Sequence, residues 1–119
     1  MPRWCWRRRW FGVGRPPTYV YVSLKPEVSE FLPKPNKGLN PTVITYPELE
    51  ALKLVDLENL SYEEAALHMG VSRGTVWRLV RSGRRKVVEA LIAGRPISIE
   101  PGGELEEVKD SEGGDVSKA

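Results

Sequence analysis

Six arginines and one lysine lie between Ser72 and Arg95, and their spacing is more informative than their number. Gly74, Arg78, Arg81 and Arg85 recur at i, i+4, i+7 and i+11, which is one stripe along an α-helix. Arg73, Thr75, Trp77 and Arg84 flank that stripe. Guanidinium groups along one helix face can neutralise phosphates, and they can grip the O6/N7 edge of guanine bidentately. Ser72, just before the stripe, can offer its hydroxyl and the first unbonded amides of the helix to a phosphate. That chemistry is recognition of a polyanion, with double-stranded DNA as the expected partner. A solvated basic face on an exposed helix would show the same stripe, so the residues before it must decide.

Bond-making chemistry finds little support. Glu48, Glu50, Glu63 and Glu64 all fall in first turns of predicted helices, where carboxylates complement the helix dipole. No nucleophile, glycine-rich phosphate loop or metal cluster accompanies them. His68 has no second ligand in sight, and the single cysteine, Cys5, lacks the partners of a zinc site. The expectation is a non-enzyme with no catalytic residues, no metal and no cofactor.

A second basic group opens the chain. Arg3, Arg7, Arg8 and Arg9 are interleaved with Trp4, Trp6 and Trp10. As an arm, these arginines could lie along the minor groove or the backbone of DNA. The tryptophans could equally fold over a core, or stack on the bases of RNA. Charge is strongly segregated although the total is only +2: residues 1–17 carry +5, 18–71 carry −4, 72–95 carry +6 and 96–119 carry −5. Two basic blocks on a nearly neutral chain point to a polyanionic partner better than the net charge does.

The elements that must position these groups are marked by caps. Thr45 with Glu48 forms a capping box, which predicts a helix from Tyr46 to about Glu58. Ser61 with Glu64 opens a second, Tyr62 to Met69, with Ala65, Ala66 and Met69 inward. Gly70 sits where a helix end needs a left-handed residue, and Ser72 is the next N-cap. Val76, Leu79, Val80, Val87, Ala90 and Leu91 then share a face with Gly83, so the third helix is expected to reach about Ala93, where Gly94 and Pro96 stop it. Two helices joined by so tight a turn make a helix-turn-helix.

Elsewhere the signals are weaker. Tyr19–Val22 reads as a strand, Thr42–Ile44 as a short extended segment, and Ile97–Ile99 as a strand that could pair with Tyr19–Val22. Residues 1–17 read as a flexible basic arm, 18–101 as the folded domain, and 102–119 as a disordered acidic tail. No apolar run approaches the roughly 18 residues of a membrane span, and no secretory signal opens the chain, so the reading is cytoplasmic with no membrane partner.

The run Pro47-Glu48-Leu49-Glu50-Ala51-Leu52-Lys53-Leu54 resembles the start of a known pattern, which continues through Leu60–Ala66, Met69–Thr75 and Arg84–Val87. It is similar to a family of small, uncharacterised bacterial and archaeal proteins expected to bind DNA through a helix-turn-helix like that of sigma-factor region 4. The resemblance covers about Thr42 to Gly103; residues 1–41 match more loosely. It implies a mainly α domain, a relative of sigma region 4 and of winged-helix domains, with a small β element from the N-terminal segment and residues 97–99. The expected function is DNA binding in transcriptional regulation, with RNA polymerase or a second copy of the chain as further partners. Two other readings stay open: a protein-interaction module docking on the transcription machinery, and an RNA-binding protein.

Overall fold

In the computed structural model, which describes residues 3–8 and 19–108, the architecture is α+β. Three helices carry two three-stranded sheets, so the expectation of a mainly α fold is corrected. The strands are β1 (Arg3–Arg7), β2 (Tyr19–Val22), β3 (Glu30–Phe31), β4 (Thr42–Thr45), β5 (Ile97–Glu100) and β6 (Glu104–Val108). The helices are α1 (Tyr46–Leu52), continued by a π turn over Lys53–Leu57, then α2 (Tyr62–Met69) and α3 (Arg73–Ala93).

The helices begin where the caps put them. The Thr45 amide donates to Glu48 Oε1 at 3.0 Å, fixing the first turn of α1. Ser61 and Glu64 form a reciprocal box, with Glu64 N donating to Ser61 Oγ at 3.0 Å and Ser61 N to Glu64 Oε1 at 2.9 Å. Gly70 ends α2 at φ 69°, and a Cβ there would stand 3.0 Å from the Tyr21 ring. Both facts disfavour any larger residue. Helix α3 runs unbroken through Gly83, because that position is a packing surface: a Cβ on Gly83 would lie 2.8 Å from Leu52 Cδ1. The missing side chain lets α1 and α3 approach closely.

The core is one cluster built from Val20, Val22, Ala51, Leu54, Ala65, Ala66, Met69, Val76 and Val80. Trp4, Trp6, Leu79 and Leu105 pack against it, so β1, β2 and β6 form a lid over the helices. In that sheet β1 is central and antiparallel to both neighbours, with Trp4 opposite Val22 and Trp6 opposite Val20 and Leu105. Alternation puts the tryptophans, valines and Leu105 on one face.

Three expectations change here. Ile97–Ile99 does lie in a strand, but β5 pairs with β4 in parallel, Val43 opposite Ser98, and with β3, Phe31 opposite Ile97. It does not pair with Tyr19–Val22. A parallel pair needs a long crossover, and the helices α1 to α3 supply it. Residues 3–7 of the expected arm form a strand, because Trp4 and Trp6 have a core to cover. Residues 104–108 of the expected tail form another, because Leu105 reaches the same core while Glu104 meets Arg7. Arg9, Trp10 and the rest of the arm to residue 17, the tail from 109 on, and the side chain of Arg3 lie outside the described residues.

Candidate nucleic-acid interface

The exposed face of α3 is assembled by the packing of its other face. Val76, Val80, Gly83 and Ala90 are buried, which fixes the helix about its axis and turns Arg78, Arg81 and Arg85 to solvent. At the N-terminus Ser72 Oγ accepts from Thr75 N at 3.1 Å and lies 3.0 Å from Thr75 Oγ1. Its hydroxyl is therefore committed to the cap. The amides of Arg73 and Gly74, first in the helix, have no intrahelical partner by geometry. Gly74 is exposed, and its neighbouring side chains stand 3.7 Å or more from where a Cβ would be.

The arginines divide into two sets. Arg78 donates to Thr75 Oγ1 at 3.2 Å, and the Arg81 guanidinium sits 5.3 Å from the ring centre of Trp77, which is 47% exposed. With Ser82, Arg85, Lys86 and Glu89 they line a groove of about 390 Å³. No described acid forms an ion pair with Arg78, Arg81 or Arg85. The second set is engaged. Arg73 pairs with Glu63 at 2.8 Å and lies over Tyr62. Arg84 binds Asp56 through two nitrogens, at 3.1 and 2.6 Å. The Arg84 hydrogen bonds hold the Asp56 carboxyl below its usual value and raise the guanidinium in turn. Both pairs are exposed, so each contributes at most about 1 kcal/mol and can be exchanged for a phosphate.

Lys86, Ser82 and Glu48 form a unit that the sequence pattern did not suggest. Glu48 is buried, its Oε2 accepting from Ser82 Oγ at 2.5 Å and its Oε1 from Lys86 Nζ at 2.8 Å. Burial alone would push this carboxyl up. The hydrogen bonds from Lys86, Ser82 and the Thr45 amide, with the Lys86 charge, outweigh that and hold it low. The effect is to tie the start of α1 to the middle of α3, directly beneath the basic groove. The signal was partly present, since Glu48 is the capping-box acid, but a partner 38 residues away leaves no local pattern.

The N-terminal candidates fare differently. Arg7 is paired with Glu104 across the β1–β6 ladder. Trp6 Nε1 donates to the Pro101 carbonyl at 2.7 Å, and Trp4 and Trp6 pack on the core. Arg8 is exposed and lines a hollow of about 400 Å³ with Trp6, Thr75 and Leu79, close to the start of α3. Among the described residues no group of three or more His, Cys, Asp or Glu could hold a metal ion, and no helix is long and apolar enough to cross a membrane.

A family model described as "Protein of unknown function DUF134" matches residues 5–108. A UPF0251 protein of Archaeoglobus fulgidus is 47% identical over 93 residues, covering 78% of this chain and 89% of that protein. One from Thermococcus kodakarensis is 55% identical over 73 residues, 61% of this chain and 60% of that protein. One from Thermoanaerobacter pseudethanolicus is 43% identical over 90 residues, 74% and 76% of the two chains. No solved structure matches.

Proposed function

The chain belongs to the DUF134 family, and for this member we propose sequence-specific binding of double-stranded DNA through a helix-turn-helix, α2 and α3, in the service of transcriptional regulation. The observation that carries the proposal is the cation array Arg78, Arg81 and Arg85, with no ion-pair partner among the described residues, held outward on a helix whose opposite face is locked into the core. A helix fits the roughly 12 Å wide major groove, and its outward arginines then meet base edges and phosphates. Thr75 and Trp77 stand beside them, the indole able to cover a thymine methyl or a sugar. Arg73 and Arg84 would join as positioning contacts by exchanging carboxylates for phosphates. The sequence likeness to sigma-factor region 4 supports duplex DNA as the target, and RNA polymerase as a neighbour on it.

Packing of Trp4 and Trp6 on the protein core removes the main support for RNA stacking. No catalytic step is part of the proposal. Selection from a random duplex pool tests it: recovery of an enriched site supports sequence-specific binding, and a pool that emerges unenriched contradicts it.

A further inference from the structure

Helix α3 changes character along its length. At about 1.5 Å per residue its 21 residues span about 31 Å, and the arginine face occupies only the part up to Arg85. Beyond it, apart from Glu89, the large outward side chains are apolar: Val88, Leu91 at 72% exposed and Ile92 at 83%. Phe31 and Leu32, on and beside strand β3, are also more than half exposed and line a small groove with Leu91, Gly94 and Ile97. The groove holds about 160 Å³, room for an aliphatic side chain.

We propose that this patch is the contact between two copies of the chain, related by a twofold axis near the C-terminal turns of α3. Three features favour a second copy as the occupant. The surface carries a protruding ridge, Val88 and Ile92, beside a groove, so one patch supplies both halves of an isologous contact. The five exposed apolar side chains offer on the order of 600 Å² per copy, close to the ~800 Å² per partner of a standard interface. The third feature rests on the DNA reading above. Arg78 is 13 residues from Leu91, about 20 Å along the helix, so two copies crossing at Leu91 place their Arg78 backbone positions at most about 40 Å apart along the helix axes. Half-sites one turn of DNA apart need about 34 Å.

Sedimentation of the full-length chain over a concentration series tests the assembly without DNA. The wild type is expected at twice 13.4 kDa. Ile92→Glu is expected to raise the dimer dissociation constant at least tenfold, and Ile92→Ser by less. Leu67→Glu, equally exposed but on α2, serves as control and should leave the dimer intact. Circular dichroism separates assembly from folding, because residue 92 is exposed within one copy and its substitution should keep the helical signal. A wild type that stays at 13.4 kDa throughout, or a folded Ile92→Glu chain that dimerises undiminished, overturns the proposal. A dimer that selects no duplex sequence supports this interface and overturns the DNA reading, so the two are separable.

Discussion

Two segments of this chain look alike on paper and have different fates in the fold. Residues 3–8 read Arg-Trp-Cys-Trp-Arg-Arg, and residues 77–85 hold Trp77, Arg78, Arg81, Arg84 and Arg85. In the first, Trp4 and Trp6 turn inward onto Val20 and Val22, Trp6 donates to the Pro101 carbonyl, and Arg7 is taken by Glu104. In the second, Trp77 stays half exposed under Arg81, and Arg78, Arg81 and Arg85 form no ion pair with a described carboxylate. A tryptophan–arginine composition therefore does not mark a nucleic-acid contact by itself. What distinguishes the two is whether the fold supplies an apolar surface and an acid opposite them.

The contrast can be broken first at the tryptophans. Trp6→Ala should destabilise the domain by about 2–4 kcal/mol, through the packing lost against the core, whereas the half-exposed Trp77→Ala should cost under about 1 kcal/mol. Paired thermal melts check this; equal shifts in the two variants would erase the distinction. A smaller effect is expected beneath the groove. Lys86→Met leaves the buried Glu48 carboxylate short of its cation and should cost about 1–3 kcal/mol.

The same carboxylate predicts a pH dependence. Its folded-state pKa lies below the ordinary 4.5, so its contribution is complete above that pH and is lost as pH falls through the folded value. Asp56 acts in the same direction, weakly, because its pair with Arg84 is exposed. Melts of the wild type should fall below about pH 4.5, and Glu48→Gln should flatten that fall. An acid limb identical in the two proteins would refute the role given to Glu48. The smallest effect belongs to Arg7→Ala, whose half-exposed pair with Glu104 contributes about 0–1 kcal/mol.

The helices were legible in the sequence because their signals are local. Thr45 with Glu48, Ser61 with Glu64, Gly70, Ser72 and Gly94 each act within one turn, and each stands at a helix end in the structure. The candidate stripe was legible for the same reason, since helical periodicity assigns Arg78, Arg81 and Arg85 to one side. The sheets were not. Arg-Trp-Cys-Trp-Arg alternates like a strand, but the arginine run and the neighbouring glycines and prolines obscured it. Glu104–Val108 is too acidic to read as a strand until Leu105 has a core to reach and Glu104 an Arg7 to meet. Strand β5 was seen, but its partner β4 lies across all three helices, and no local pattern encodes that register. The diversion of Arg73 and Arg84 escaped for a related reason: Glu63 and Asp56 lie on other elements.

In the proposed complex Arg78, Arg81 and Arg85 of α3 meet DNA, whereas Arg7 of β1, paired with Glu104, does not. The most direct test is the salt dependence of duplex binding for three proteins: the wild type, Arg78→Ala/Arg81→Ala/Arg85→Ala, and Arg7→Ala. Each phosphate contact adds about 0.9 to the slope of log K against log salt. The triple variant should lose about 2–3 units of slope per chain and most of its affinity, while Arg7→Ala should change neither. A triple variant with the slope and affinity of the wild type would contradict the proposed contact.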